Sequence, residues 1–243
     1  MQVIKGKSLT APKAIIYGLP GVGKSTLASK FKNPIFLDYE GGLNQIGCDR
    51  TPQITDFRIG TKMLGELYRK GEAGQREYDT IVIDSIDWAV RRAVELAAQI
   101  KDEKTGNVDL TMTLNRSNGG YGNGKQVLEN YIKTKLIPSF MMLNSVGYGI
   151  VLIAHADKKI LMDAEGVDIE QITPKIDVNT MNTFIEWCDN VLYLKKNAEG
   201  ERVLVLESDD VALAKNRLGL HGERKLKDID INELLEGKDN ENA

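Results

Sequence analysis

The eight residues Gly18-Leu19-Pro20-Gly21-Val22-Gly23-Lys24-Ser25 constrain the fold of this chain more than any other stretch. Their spacing, G-x-x-x-x-G-K-[ST], is that of a loop that surrounds phosphate groups and joins a buried strand to a helix. The apolar, β-prone Ala14-Ile15-Ile16-Tyr17 precedes the loop, and Thr26-Leu27-Ala28-Ser29-Lys30-Phe31 after it can form a helix. The sequence therefore predicts a strand–loop–helix unit that binds the phosphates of a nucleotide.

Each residue type in this loop has a physical reason. Glycines let successive backbone N–H groups converge on phosphate oxygens. Lys24 places a mobile charge between the β- and γ-phosphates, and Ser25 offers a hydroxyl to Mg²⁺, which prefers hard oxygen ligands. ATP and Mg²⁺ are the cofactors that this chemistry predicts. The predicted nucleotide-binding residues are Gly18, Leu19, Pro20, Gly21, Val22, Gly23, Lys24, Ser25 and Thr26.

A second buried strand, Tyr78-Asp79-Thr80-Ile81-Val82-Ile83-Asp84, ends on a carboxylate. A carboxylate at the carboxyl end of a strand beside a phosphate loop can hold Mg²⁺ through water. The alternative is an aspartate that only caps the strand. We predict Asp84, with Ser25, as the metal-side pair.

The residue after Asp84 is Ser85, so a carboxylate that activates water must come from elsewhere in the chain. Glu40 is the candidate, because it closes the apolar strand Ile35-Phe36-Leu37-Asp38-Tyr39, which we expect near the phosphate-loop strand. A glutamate at that strand end would lie level with the γ-phosphate and orient a water for in-line attack. The alternative is a solvated glutamate before the turn at Gly41 and Gly42.

The 243 residues, 42% of them apolar and 28% charged, suffice for one large α/β domain. Strand-like and helix-like segments alternate to about residue 154, and three β-prone segments follow late: Val191–Leu194, Val203–Leu206 and Val211–Ala214. We predict a mostly parallel sheet flanked by helices and extended by C-terminal antiparallel strands. This single domain spans residues 1–236, and a polar, disordered tail spans 237–243.

Helices are expected over 61–70, 86–100 and 126–137, the last of them interrupted at Pro138. Residues 101–125 and 156–178 are polar and are predicted as long loops. No run of 18 apolar residues and no N-terminal apolar segment is present, so we expect no membrane contact and a cytoplasmic protein, in the host cytoplasm if phage-encoded. Cys48 and Cys188 have no metal or redox spacing.

Three further segments resemble those of RecA-like ATPases. Leu37-Asp38-Tyr39-Glu40-Gly41 resembles the D-x-E-G segment of RecA-like recombinases, and Ile153-Ala154-His155 lies where that superfamily carries a polar γ-phosphate sensor. Ala214-Lys215-Asn216-Arg217-Leu218-Gly219 resembles the K-N-R-x-G segment of RadA/Sms and the K-x-R segment of DnaB-type helicases. The chain most resembles the short, core-only RecA-like ATPases of bacteriophages, which act as single-strand annealing or recombination proteins.

The resemblance implies a RecA-like P-loop NTPase core with ATP hydrolase activity. It implies that Glu40 is the catalytic base and that His155 is the γ-phosphate sensor, against the alternative of a hydrogen-bonded structural histidine. Lys215 and Arg217 would reach the γ-phosphate of the neighbouring subunit, against the alternative of two solvated basic residues. A residue supplied in trans implies a homo-oligomer, either a ring or a filament.

The same resemblance implies binding of single-stranded DNA, with a single-strand DNA-binding protein as a further partner. A net charge of −3 argues against coating nucleic acid by bulk charge and leaves a local basic face open. The predicted DNA contacts are Arg116, Tyr121 and Lys125 in the first long loop and Lys158 and Lys159 in the second. The alternative is two mobile surface loops, and acidic residues in the second weaken its case.

Two other functions fit the phosphate loop. One is a regulatory or accessory ATPase whose ATP-dependent oligomer binds a protein partner rather than DNA. The other is a small-molecule kinase, which the sequence disfavours because neither an arginine-rich lid nor an acceptor pocket is recognisable. DNA-dependent ATP hydrolysis in phage or bacterial DNA metabolism is the function that the sequence best supports.

Overall fold

The computed structural model describes residues 11–101, 104–162, 168–176 and 178–236. The predicted tail at 237–243 lies outside the described residues. The strands are β1 Lys13–Gly18, β2 Pro34–Asp38, β3 Asp49–Arg50, β4 Thr80–Asp84, β5 Gly149–Met162, β6 Asp168–Pro174, β7 Asn190–Lys196, β8 Arg202–Val205 and β9 Glu223–Lys225. The α-helices are α1 Lys24–Ala28, α2 Phe57–Glu72, α3 Ile86–Ala97, α4 Asn123–Tyr131, α5 Ile137–Ser145, α6 Val178–Trp187 and α7 Ile231–Glu236.

The strands form one twisted sheet in the order β3-β2-β4-β5-β1-β7-β8-β9. Pairing is parallel from β3 to β7, whereas β8 and β9 are antiparallel additions at the C-terminal edge. This arrangement confirms the predicted fold class. It also places β5 between the phosphate-loop strand β1 and the strand β4 that ends on Asp84.

The register of the central strands brings their ends to one edge of the sheet. Asp38 pairs with Asp84, Asp84 pairs with Ile153, and Gly18 pairs with His155. Because parallel strands run in the same direction, their carboxyl ends meet at this edge, where α/β proteins bind their ligands. The sheet thus brings the predicted site residues of four strands to a common edge.

Alternate strand residues pack on opposite faces of the sheet, as the period of two requires. On one face, Ile15 and Tyr17 contact a core that includes Phe140 of α5 and Phe184 of α6, together with residues of α2, α3 and α4. On the other face, Ile16 packs with α1 and α7. None of the described helices has the length and apolarity needed to cross a membrane.

Several predicted elements differ from the observed ones. The phosphate-loop helix α1 stops at Ala28 instead of reaching Phe31. The helical path from Asn123 to Ser145 passes through Pro138, because a π-helical turn at Ile132–Leu136 widens the backbone where the proline ring cannot continue regular hydrogen bonding. The predicted strand Val211–Ala214 is an irregular segment with single bridges from Ala212 and Lys215.

The second predicted long loop is instead a β-hairpin. Strand β5 continues past Ala154 to Met162, and β6 returns along it in antiparallel pairing from Ala156↔Pro174 to Met162↔Asp168. The loop prediction was wrong because this outer part of β5 has polar residues on both faces. It therefore lacks the apolar alternation that marks a half-buried strand. The helix α6 that follows was also not predicted.

Gly60 of α2 allows the helix to pack closely against Tyr39, just beyond the end of β2. Gly60 approaches Tyr39, whose ring is buried, so closely that an added Cβ would lie 1.8 Å from the tyrosine Oη. We expect Gly60→Ala to destabilise the fold by about 1–3 kcal/mol, because overpacking forces the ring or the helix to move. Chemical denaturation measures the change.

Two variants control this prediction. Gly65→Ala lies on the same helix with nothing within 4 Å of its added Cβ, and should stabilise by about 0.5–1 kcal/mol. Adding Tyr39→Phe to Gly60→Ala removes the closest atom and should recover part of the loss. Equal effects of both alanine substitutions would contradict the close approach.

Candidate active site

The phosphate loop follows β1 directly and turns back through two glycines with positive φ, Gly21 at 73° and Gly23 at 105°. At Gly18 an added Cβ would lie 2.3 Å from the backbone oxygen of Leu194 in β7, so only glycine fits there. The side chain of Lys24 is buried and its Nζ donates to the carbonyl oxygen of Gly18 at 3.0 Å and to that of Leu19 at 3.1 Å. The loop therefore holds a lysine ammonium inside its own curve.

The two residues predicted on the metal side lie together. Ser25 Oγ donates a 2.6 Å hydrogen bond to Asp84 Oδ2. Burial raises the pKa of Asp84 to about 6, and the nearby carboxylates of Glu40 and Asp38 add to that rise. A hydroxyl and a buried carboxylate are hard oxygen donors that a compensating cation would stabilise, so the pair fits Mg²⁺.

Glu40 lies where the sequence placed it, just beyond β2. Its backbone N donates to the backbone oxygen of Asp84 at 3.2 Å and to Asp38 Oδ1 at 3.1 Å. The same Asp38 oxygen accepts from Gly41 N at 2.6 Å, which fixes the turn after the strand. The Glu40 carboxylate faces the phosphate loop across the site, and its Oε1 is 3.5 Å from His155 Nε2.

His155 lies in β5 beside Gly18, and a residue not predicted from the sequence holds it. Asp87, in the first turn of α3, accepts from the backbone N of His155 at 3.2 Å and contacts its Nδ1 at 2.9 Å. The hydrogen bond that the His155 ring makes to the Asp87 carboxylate raises the pKa of His155, against the opposing effect of burial. Burial raises the pKa of Asp87, but the hydrogen bond and charge of His155 outweigh it and the net shift is downward.

The phosphate loop, Glu40, Asp84 and His155 line a cleft of about 310 Å³. Its lining residues are Pro20, Gly21, Gly23, Lys24, Ser25, Thr26, Glu40, Gly42, Ile46, Asp84, His155 and Arg202. A second cavity of about 360 Å³ adjoins it between α1 and the β8–β9 ribbon, and the two share Gly23, Thr26 and Arg202. Arg202, also not predicted, donates from Nε to the carbonyl oxygen of Val22 at 2.8 Å and so marks the junction between the cavities.

Lys215 and Arg217 lie at the other end of the sheet from the phosphate loop. Lys215 Nζ donates to the carbonyl oxygens of Ile185 at 2.7 Å and Cys188 at 2.9 Å, at the end of α6. Arg217, more than half exposed, pairs with Asp189 at 3.1 Å. Asp189 in turn contacts Lys13, the first residue of β1, roughly 17 Å from Gly18 by the rise of a strand. Neither cation contacts its own phosphate loop.

The residues predicted to contact DNA in the first long loop are exposed at its tip. Five consecutive residues, 118–122, have positive φ, including the non-glycine residues Asn118 at 54° and Tyr121 at 53°. The Tyr121 side chain is fully exposed, whereas Arg116 donates to the backbone oxygen of Thr111 and Lys125 is exposed in the first turn of α4. A strained backbone that presents an exposed aromatic ring is a feature typical of functional loops.

Lys158 and Lys159 lie on the β5–β6 hairpin and are engaged within it. Lys158 pairs with Glu170 at 2.5 Å across the two strands. Lys159 Nζ donates to the backbone oxygen of Ile176. The structure therefore brings together the predicted phosphate, metal and water-activating residues, and separates from them the two predicted trans-acting cations and the five predicted DNA contacts.

The burial of Asp84 predicts a pH-dependent stability. Its pKa is about 6 in the fold against an ordinary value of 3.8, so the native state binds this proton more tightly than the unfolded chain does. The stabilisation is complete below about pH 4 and is lost as the pH rises through about 6. We therefore expect Asp84→Asn to be more stable than the wild type at pH 7.5, by on the order of 2 kcal/mol, and no more stable at pH 4.

Thermal melts without Mg²⁺ or nucleotide measure this difference. Asp210→Asn, at an exposed carboxylate, serves as the control and should show no such pH-dependent gain. An Asp84→Asn gain that is the same at both pH values would mean that packing, and not the carboxylate charge, is responsible.

A family model matches most of this chain. Residues 10–218 match the family model of the AAA domain, AAA_24. The SPbeta prophage-derived uncharacterized protein YorG of Bacillus subtilis (strain 168) is 26% identical over 205 residues, which cover 84% of this chain and 57% of that protein. The chain thus spans less than two thirds of the length of this relative.

Among solved structures, the crystal structure of the RadB recombinase is 16% identical, with 88% of this chain and 86% of that chain covered and a TM-score of 0.46. The family match is the decisive comparison, because it covers most of the chain and contains the phosphate loop, Asp84, His155 and Arg217. The chain belongs to the AAA domain family AAA_24.

Proposed function

We propose that this protein is a Mg²⁺-dependent ATPase that binds single-stranded DNA as an oligomer and promotes annealing or recombination in phage or bacterial DNA metabolism. The observation that carries the proposal is that the site residues lie at opposite ends of the parallel strands. The phosphate loop, Asp84 and Glu40 lie at the carboxyl ends of the strands, and Arg217 lies at the opposite end. A site completed by Arg217 therefore needs a second copy of the chain.

At the phosphate loop, the backbone N–H groups and Lys24 would bind the β- and γ-phosphates. Ser25 and Asp84 would hold Mg²⁺, which neutralises charge on the phosphate oxygens. Their hydroxyl and carboxylate are already 2.6 Å apart, so little rearrangement is required to bring both toward one ion.

Glu40 is the residue we assign to water activation. Its carboxylate lines the same cleft as Lys24 and Asp84, and the turn fixed by Asp38 holds its backbone. A carboxylate in this place can accept a proton from a water and orient it for in-line attack on the γ-phosphate. His155, 3.5 Å from Glu40, is placed to contact the same phosphate.

The nucleoside would occupy the second cavity, which continues from the phosphate pocket past Arg202. That cavity lies between α1 and the β8–β9 ribbon, and its volume of about 360 Å³ is within the range of ordinary ligand pockets. The planar guanidinium of Arg202 can stack on a base at the junction.

Arg217 is the residue we assign to the neighbouring subunit's site. Its guanidinium is exposed and its partner Asp189 is also partly exposed, so the ion pair can exchange for a phosphate. Lys215 is bound by two carbonyl oxygens at the end of α6, so its contribution would be to place the segment that carries Arg217. Contacts of this head-to-tail kind generate rings or helical filaments.

Tyr121 is the best-supported DNA contact. Base–aromatic stacking needs an exposed ring on a loop whose backbone can approach the nucleotide, and Tyr121 lies between two glycines at the loop tip. Arg116 and Lys125 flank it and can contact phosphates. Lys158 and Lys159 are weaker candidates, because each is already engaged within the hairpin.

A protein-binding regulatory ATPase is the second candidate function. The same loop exposes two aliphatic side chains, Val108 at 60% and Leu110 at 83%. Exposed apolar residues two positions apart in one loop favour a protein surface over a nucleic-acid backbone. Stimulation of ATP turnover by single-stranded DNA distinguishes the two functions.

The trans assignment predicts complementation between two defective variants. Glu40→Gln and Arg217→Ala should each lower ATP hydrolysis by about 100-fold or more, because each removes a group that acts only in the transition state. Mixed in equal amounts with subunit exchange, they should recover about a quarter of the wild-type rate, since that share of random interfaces pairs an intact Glu40 with an intact Arg217. Steady-state phosphate release measures the recovery.

The matched control is a mixture of Glu40→Gln with Asp84→Asn. Both substitutions damage the same pocket, so no subunit carries an intact site and no activity should return. Absence of recovery in the Glu40→Gln and Arg217→Ala mixture, with subunit exchange verified, would remove Arg217 from the neighbouring site.

Replacement of Tyr121, whose φ is positive, should have opposite effects on the stability of the fold and on DNA binding. Tyr121→Gly relieves a positive φ and should stabilise the fold by about 1 kcal/mol. It should also weaken single-strand binding by about 1–3 kcal/mol, through loss of stacking. Tyr121→Phe keeps the ring and should behave like the wild type in DNA binding.

Fluorescence anisotropy of a labelled oligonucleotide and ATP turnover across a single-strand titration measure this prediction at low salt. Wild-type turnover that does not respond to single strands would contradict the DNA-dependent function. A wild-type response that Tyr121→Gly retains in full would exclude Tyr121 from the DNA site.

A further inference from the structure

Asp87 uses both of its carboxylate oxygens on one residue. Oδ2 lies 2.9 Å from the imidazole Nδ1 of His155, and Oδ1 accepts from the backbone N of the same residue at 3.2 Å. The aspartate side chain is only 13% exposed, and α3 holds it in its first turn. Two contacts to one residue fix both the strand position and the rotation of the ring.

The consequence is that the two ring nitrogens have different surroundings. Since a carboxylate accepts a hydrogen bond, Nδ1 carries a proton toward Asp87 and Nε2 is directed to the other side of the ring. On that side lies the Glu40 carboxylate, 3.5 Å away, together with the cleft that contains Lys24. The charged groups that face the ring are therefore Asp87 from α3, Glu40 from the end of β2 and Lys24 from the phosphate loop.

We propose that Asp87 is a positioning residue for ATP hydrolysis, which holds His155 so that its Nε2 faces Glu40 and the γ-phosphate end of the cleft. This inference rests on the proposed function, since it assigns the Glu40 carboxylate to water activation. Asp87 itself does not line the cleft. It acts through His155, whose Nε2 lies 3.5 Å from the Glu40 carboxylate, while Asp38 holds the Glu40 backbone.

An acidic residue in the first turn of a helix also has an ordinary explanation, because it stabilises the helix N-terminus. That explanation requires only the charge near the helix end. It does not account for the use of both carboxylate oxygens on His155, a residue of strand β5. The two explanations predict different results for the state of the His155 ring.

The chain contains two histidines, His155 and His221, which makes that state measurable. His221 is exposed and pairs with Glu207, so His221→Gln leaves His155 as the single imidazole without changing the candidate site. Long-range ¹H–¹⁵N NMR spectra of this background report the tautomer and the titration of His155. The variants are Asp87→Asn, Asp87→Ala and Asp87→Glu.

In the His221→Gln variant with Asp87 intact, we expect the Nδ1 of His155 to stay protonated at every pH. We expect the titration midpoint of His155 to lie above that of a free histidine. Asp87→Asn should lower the midpoint, and Asp87→Ala should give a mixture of tautomers. ATP turnover should fall about 10–100-fold in Asp87→Ala, as expected when a reacting group loses its orientation, while the KM for ATP changes less than about threefold. Asp87→Glu restores the carboxylate and should recover part of the turnover.

Other outcomes would overturn the inference. If the tautomer of His155 is unchanged in Asp87→Ala, Asp87 does not orient the ring. If the tautomer changes and turnover does not, the orientation has no role in hydrolysis. A lowered melting temperature with unchanged turnover would assign Asp87 to helix stability. A wild-type protein without ATP hydrolysis would refute the proposed function, and the NMR spectra would still report separately whether Asp87 orients His155.

Discussion

The parallel pairing of β2, β4, β5 and β1 is the constraint on which the rest of the site depends. Their register aligns Asp38 with Asp84, and Gly18 with His155, so that residues of four separate segments meet at one edge of the sheet. No local preference of any one segment produces this arrangement. It follows from burial of apolar strand residues on both faces of the sheet, since a slip of one residue would turn each buried side of a strand toward the wrong layer.

This alignment concentrates negative charge in a small, partly buried space. Three carboxylates, Glu40, Asp84 and Asp87, lie close to Lys24 and His155. Burial disfavours ionisation, which is why the pKa of Asp84 is raised, whereas Asp87 stays acidic through its hydrogen bond with His155. Of these two aspartates, three residues apart, Asp84 would gain from a cation, whereas Asp87 already accepts a hydrogen bond from an imidazole.

The sequence supported prediction where a motif or an apolar run determined the structure. The phosphate loop, the strand that ends at Asp84 and the position of Glu40 after β2 all follow from spacing and strand length. Asp87 and Arg202 carried no such signal, because their roles arise from contacts between segments 68 and 180 positions apart in the chain. The β5–β6 hairpin was missed for a related reason, since the residues it buries in β6 include the polar Gln171 and Thr173 and give no apolar alternation.

The position of Arg217 decides whether a single subunit could complete the proposed site. A cation that lay beside its own phosphate loop would complete the site in a single subunit, and hydrolysis would then proceed without assembly. Here the length of β1 separates Arg217 from the phosphate loop. Gly18 is at one end of the strand, and Lys13 is at the other end, where it contacts the Asp189 that pairs with Arg217. If Arg217 acts on a phosphate, ATP hydrolysis is necessarily coupled to contact between subunits. Under the proposed single-strand binding, such coupling would let nucleotide turnover release neighbouring subunits one interface at a time.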